Sequence, residues 1–499
     1  MNTQELYEKY KTKMHRIADV RNANAVLQWD QETYLPPKGA AFRGQQISTL
    51  SEISHKLFSE EELGDALQEL LSKDDLSAEQ KRNVELTFED YTKNKKYTSA
   101  FVRALSDQTN KAFHAWIESR KQNAFAVYEP ELDKLIQLKK EEAQILGFEQ
   151  HPYNALLDEF EKGCTVNLLD KTFSDLLPRL KELLQRIASQ PQVNDSFLQQ
   201  NFSKKEQWDW GMHLIKQLQF DFEAGRQDMS EHPFSISFNK YDVRITTRID
   251  ENDFSNMTWS CIHETGHALY EQGLPEELYG LPLGEACSYS IHESQSRLWE
   301  NNVGRSKKFW QHYYPQLQNY FPDQFKETSL ELFYKGINKV QPSLIRTEAD
   351  EITYHFHVYI RYELEKRLIE GSLSAKDIPA FWNEHYRNLM NVEVPDDKKG
   401  CLQDVHWSHG SFGYFPTYSL GSFYAAQFFK TAELQLKDLN NEIAEGNTAN
   451  LLQWLRTNIH NKGRFYTSEE LCKAVTGQTL DVIYFIDYLL DKYTSIYTL

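Results

Sequence analysis

Apolar residues recur at three- and four-residue spacing along most of this chain, the period at which one face of an α-helix repeats. The spacing predicts helix through 1–28, 60–92, 96–147, 166–190, 203–220, 325–340, 350–370 and 448–460. Pro36-Pro37, His151-Pro152, Gln190-Pro191 and Gly371 separate these runs, and Thr467-Ser468-Glu469-Glu470 has the layout of a capping box opening a late helix. One region breaks the period. Segments 232–238 and 242–248 alternate apolar and polar residues around Asn239-Lys240-Tyr241, the pattern of a β-hairpin. With 499 residues, 40% of them hydrophobic, the chain has material for a sizeable interior, and no Gly/Ser-rich linker or fixed-period repeat divides it. The expectation is a mainly α fold, with 1–499 as a single large helical domain that carries a small hairpin.

Composition narrows the partners. A formal charge of −18 leaves no basic surplus to displace counterions, so nucleic acid is not expected as a partner. No run of 18 apolar residues occurs, and Met1 to Tyr7 reads as a polar helix start rather than a signal peptide, so no membrane role is expected. The five cysteines (Cys164, Cys261, Cys287, Cys401, Cys472) are odd in number and scattered, with no C-x-x-C pair. Neither a disulfide framework nor a thiolate metal cage is suggested, and the expected location is the cytoplasm.

His263-Glu264-Thr265-Gly266-His267 carries the chemistry. Positions i and i+4 of a helix share a face, so both imidazoles can reach one ion. Glu264, about 100° around the helix from His263, can reach a water beside that ion without ligating it. The stripe Trp259, Ile262 and Leu269 runs beside the histidine face and predicts a buried helix, whose polar groups then need a partner such as a metal. Gly266 weakens the helix, which is explicable if something approaches closely there. A catalytic zinc keeps three protein ligands and an open position. Downstream, Glu285, Glu293 and Glu300 are candidates for the third. Glu285 follows Pro282-Leu283-Gly284 and suits a helix cap. Glu293 lies inside a helical run with Arg297 four residues on, placed to orient its carboxylate. Glu300 shares that face. Spacing favours Glu293, with His292 as a competitor.

At this point the sequence resembles a known family. His292-Glu293-Ser294-Gln295-Ser296-Arg297, following the paired histidines, is similar to a motif of the thermostable, or Taq-type, carboxypeptidases. Asp242-Val243-Arg244-Ile245-Thr246, Ile345 to Asp350, and Gly400 to Trp407 resemble three further motifs in the same order, as does Trp29-Asp30-Gln31 with Pro36-Pro37 and Gly39. Leu35 stands where the pattern has Met. The resemblance implies a mostly helical fold around a deep central groove, similar to angiotensin-converting enzyme and neurolysin; the hairpin, which immediately precedes the His263 helix in sequence, is expected beside it. It implies removal of C-terminal residues from peptides with broad specificity, one Zn2+ per chain (Co2+ also active), and a homodimer. Carried over to this chain, it makes His263, His267 and Glu293 the metal ligands and Glu264 the catalytic base.

Such a reaction also needs a donor for the oxyanion and a cation for the free carboxylate of the peptide. Tyr418, preferred over Tyr414, and His406 are candidates for the donor. Arg346, preferred over Arg244, is the candidate clamp, because a guanidinium fork matches a carboxylate; internal salt bridges to Glu348, Asp350 or Asp242 are the competing reading. Gln403 and Asp404 are expected to line the pocket, Asp404 alternatively as a helix cap. Two other functions use the same residues: a helical oligopeptidase cutting inside short peptides, and a non-catalytic, metal-stapled peptide-binding protein.

Overall fold

A computed structural model describes residues 2–499. The chain forms two compact units, each assembled from three separated stretches. The first takes the chain up to Lys95, Asn194–Ile337 and Phe428–Thr479; the second takes Lys96–Val193, Asn338–Gln427 and Leu480–Leu499. Units interleaved in this way have no single linker for a sequence to display.

In the first unit the helix Thr3–Thr33 opens with a reciprocal cap between Asn2 and Glu5. Its apolar face buries Tyr10 and Ile17 against Leu63, Leu67 and Val84. The expected helix over 60–92 is two, Glu61–Leu71 and Ala78–Lys96. The hairpin is present as β2 (Ser235–Asn239) and β3 (Asp242–Thr247), paired antiparallel. A further strand, β1 (Gly225–Met229), lies parallel to β3, giving the order β1-β3-β2. Its Gly225-Arg226-Gln227-Asp228-Met229 has none of the alternation that marks a strand.

Alternation along β3 sends its side chains to opposite faces. Val243 and Ile245 are fully buried and pack with Met257, Cys261 and Ala268 of the helix Phe254–Glu271, so the sheet lies directly on that helix. Arg244 points the other way and stacks 4.3 Å from the Trp29 ring. β2, with a neighbour on one side only, is an edge strand.

In the second unit the helical run expected over 96–147 is interrupted. Ser99–Gln122 ends where Asn123 takes the left-handed conformation (φ 52°), and Glu129–Leu146 follows. The helix Tyr354–Glu370 ends at Gly371, also left-handed with φ 93°. The capping box at Thr467, in the first unit, forms with Glu470 as expected. All five cysteines are buried and unpaired to one another, and no helix among the described residues is long and apolar enough to cross a membrane.

Candidate metal centre

Two helices of the first unit build the centre. Phe254–Glu271 starts at the Asp253 cap and carries His263 and His267 one turn apart. Trp259, Ile262 and Leu269 are buried beside them, as the stripe predicts. The helix Tyr289–Arg297 starts at Ser288, whose side chain accepts from Ile291 N–H. Glu285 is therefore not the cap: it follows the turn Pro282–Gly284 in extended backbone and pairs with Arg464 at 3.0 Å. Gly266 explains the close approach of the two helices. A Cβ there would sit 2.6 Å from Ser296 Cα and 2.8 Å from Gln295 O. The missing side chain lets the second helix lie against the first and brings Glu293 over the histidines.

His263, His267 and Glu293 each turn one ligand atom into a common space, all within 4.8 Å of one another. Glu293 Oε2 stands 3.7 Å from His263 Nε2 and 3.4 Å from His267 Nε2. Two ligands bound about 2 Å from a tetrahedral ion are about 3.3 Å apart, so the spacing fits a shared metal. Charge fits as well. Glu271, Glu293 and Glu300 outnumber the two arginines that pair with them, Arg297 and Arg305, so the centre is acidic and suited to a cation.

Hydrogen bonds behind the histidines aim them. His292 Nε2 lies 2.8 Å from Glu271 Oε1 and must donate there, since a carboxylate only accepts. In the neutral ring its Nδ1 then accepts, so His267 Nδ1, 2.6 Å away, is the donor. That leaves the lone pair of His267 Nε2 facing Glu293. His263 does the same by another route, donating from Nδ1 to Glu300 Oε2 at 2.9 Å. His292 and Glu300, both weighed as ligands, thus stand one layer behind. Arg297 Nε binds Glu293 Oε1 at 2.7 Å, the orienting role expected of it, and its Nη1 reaches Glu300 at 3.0 Å. Glu300 gets there because the helix widens into a π-turn over Leu298–Gly304, a feature with no periodic signal.

Burial opposes charge on both of these acids, yet Arg297 and His263 hold Glu293 and Glu300 well below the usual carboxylate range. Burial pushes His267 down to about 4, keeping it neutral. Glu264 behaves differently: burial lifts its carboxyl to about 7, against the pull of His263. Strand β2 borders this face, and the side chains of Ser235 and Ser237 act to lower the Glu264 and Glu271 carboxyls respectively. Sequence reading missed Glu271, Ser235 and Ser237; only the four-residue step from His267 to Glu271 could have flagged the first.

The remaining predicted residues fall into two groups. Arg244, in the first unit, is forked onto Asp242 through bonds of 2.8 Å, the internal pairing that was the competing reading. The second unit gathers Arg346, Gln403, Asp404, His406, Tyr414 and Tyr418. Arg346 is bound to Asp404 rather than Glu348 or Asp350: its Nε and Nη2 donate to Asp404 Oδ1 at 3.0 and 2.9 Å, and Nη1 to the Tyr354 hydroxyl. Asp404 caps no helix. Its other oxygen takes Nε of Arg361, a buried residue sequence reading missed, at 2.7 Å. Gln403 accepts from Arg346 N–H and from Arg361. His406 Nε2 is 3.2 Å from the Tyr418 hydroxyl, and burial with the nearby Arg346 pushes its pKa down to about 3. The Arg346 guanidinium lies 4.8 Å from the Tyr418 ring, and the Tyr414 ring packs edge-on to Tyr418.

The family model described as Carboxypeptidase Taq (M32) metallopeptidase matches residues 9–493. Carboxypeptidase 1 of Bacillus subtilis (strain 168) is 38% identical over 488 residues, 97% of either chain. A solved structure described as "The Structure of CHT" is 61% identical with a TM-score of 0.97, covering 98% of this chain and 99% of that one. The crystal structure of an M32 carboxypeptidase from Deinococcus radiodurans is 35% identical, also with a TM-score of 0.97, and covers 99% of this chain and 100% of its own.

Proposed function

Because the chain belongs to the Taq (M32) family of metallopeptidases and is a metal-dependent carboxypeptidase, we propose the following division of labour among its residues. The observation that carries it is the convergence of His263, His267 and Glu293, from two packed helices, beside Glu264. These three side chains would hold one Zn2+ per chain, with Co2+ able to substitute. When bound, the ion supplies Lewis acidity that makes water nucleophilic near neutral pH. Glu264 takes the proton from the attacking water and hands it to the leaving amine. A buried carboxyl lifted to about 7 suits a group that must both accept and release a proton.

Tyr418 donates to the oxyanion, with His406 at 3.2 Å setting the direction of its hydroxyl and Arg346 lying over its ring. Arg346 binds the carboxylate of the peptide. Charge supports this choice over Arg244: Arg346 and Arg361 share the single carboxylate of Asp404, and His406 is neutral, so the buried group carries a positive surplus. Arg244 is matched one to one by Asp242 and has none. Gln403 and Asp404 fix Arg346, and Tyr414 contributes a ring to the substrate surface. Edge strand β2, beside the Glu264 face, offers its unpaired edge to an extended peptide. The specificity read from the family resemblance is broad, for peptides with a free C-terminus. The reading extends to a cytoplasmic homodimer, in keeping with five buried cysteines that form no disulfide.

Mass spectrometry of a peptide over time tests the proposal. A free-acid peptide should shorten stepwise from its C-terminus, its C-terminally amidated twin should persist, and chelator should stop the reaction. Cleavage of both peptides at internal bonds would instead identify an oligopeptidase.

A further inference from the structure

Glu365 lies in the helix Tyr354–Glu370, fully buried, and belongs to none of the motifs singled out in the sequence. Its Oε1 accepts the indole N–H of Trp407 at 2.7 Å. Its Oε2 accepts the backbone N–H of Gly413 at 2.8 Å together with the hydroxyl of Tyr153. Trp407 adjoins His406, and Gly413 precedes Tyr414 and the helix Phe415–Gln435, whose first turn carries Tyr418. One carboxylate thus grips both ends of the segment 407–413. The chain doubles back between those ends, and His406 Nε2 meets the Tyr418 hydroxyl just beyond them.

Gly413 is confined from the other side as well. Its φ is +102°, and a Cβ there would lie 2.4 Å from Leu156 O. Leu156 and Tyr153 belong to one short helix, Tyr153–Leu157, so the wall behind Gly413 is tied to the same carboxylate. Three donors hold Glu365, none of them charged. Burial pushes its carboxyl up to about 7 against those donors and Lys139. An ionisable group is a costly filler for such a place, and an apolar side chain would pack there more cheaply. What an apolar side chain lacks is two oxygens able to accept from Trp407 and Gly413 at once.

We infer that Glu365 is a positioning residue: by tying Trp407 to Gly413 it sets the spacing of His406 and Tyr418. Its effect on turnover rests on the proposed role of Tyr418 at the oxyanion. Glutamine in its place keeps the shape but has one acceptor and one donor. It can serve one end of the segment, while its amide N–H opposes the N–H or O–H at the other.

The test uses zinc-loaded full-length protein with isotope-edited histidine spectra, the His406 signal being identified from a His406→Gln variant. In Glu365→Gln the His406 signal shifts, kcat falls about tenfold or more, KM changes less than about twofold, and metal content is retained. An unmoved His406 signal with wild-type kcat overturns the inference. Should Glu365→Gln fail to fold, Trp407→Phe, which removes one tether only, shows the same His406 shift or overturns the inference in turn. A silent Tyr418→Phe alongside a shifted His406 signal in Glu365→Gln removes the oxyanion assignment and leaves the positioning intact.

Discussion

His267 Nδ1 lies 2.6 Å from His292 Nδ1, and His292 passes the constraint on to Glu271 at 2.8 Å. A residue that is a competitor for the metal in the sequence is, in the fold, what orients the His267 ring of the proposed ligand set. Partners of this kind fix the tautomer of the coordinating ring and raise its basicity. His292→Ala should weaken zinc affinity about 10- to 100-fold, read by competition against a chromogenic chelator. Glu271→Gln should act in the same direction through His292. Unaltered affinity in the His292 variant would show that packing alone holds His267.

Gly266 makes a prediction of opposite sign to helix propensity. Alanine is intrinsically better in a helix by about 1 kcal/mol. Yet its Cβ would meet Ser296 Cα at 2.6 Å, and backbone cannot rotate away as a side chain can. Gly266→Ala should therefore destabilise by about 1–3 kcal/mol and weaken zinc binding, because the displaced helix carries Glu293. Thermal unfolding with and without zinc measures both effects. A rise in Tm would mean that the helix pair adapts freely.

What was legible follows the range of each interaction. His263, Glu264 and His267 lie within one helical turn, so their spacing encodes their geometry, and the same holds for Arg297 on Glu293. The hairpin β2–β3 is local and alternates; β1 pairs parallel with β3 across intervening chain and has no pattern of its own. Arg346 shows the limit most clearly. Its neighbours in sequence, Glu348 and Asp350, are the acids spacing can offer, whereas its partner in the fold, Asp404, is 58 residues away. Asp404 in turn is shared with Arg361, which sits in a helix with nothing to mark it out. The π-turn over Leu298–Gly304 that carries Glu300 back to His263 has no periodic pattern by which the sequence could announce it.

Glu264 separates metal binding from chemistry. It lies on the metal-site helix but outside the cluster His263, His267 and Glu293 that could hold the ion. Glu264→Gln should retain zinc at near the wild-type level, determined by elemental analysis. Its kcat should fall by about 10²- to 10⁴-fold, the range for removal of a general base. Full turnover in this variant would eliminate Glu264 as the base and return the centre to a structural role.

Asp404 bears the last prediction, which concerns acid stability. Its carboxylate lies between Arg346 and Arg361, and despite burial the two guanidiniums hold it well below the usual aspartate range. A group whose pKa is depressed on folding stabilises the native state above its unfolded value of about 3.9 and loses that contribution as pH falls toward its folded value. Asp404→Asn leaves two buried arginines without their shared carboxylate, a loss of about 3–5 kcal/mol near neutrality. Denaturant unfolding at a series of pH values should show the gap between wild type and Asp404→Asn at its full size above about pH 5 and narrowing below about pH 4. A gap that held constant through that interval would mean that the guanidiniums draw their compensation from groups other than Asp404.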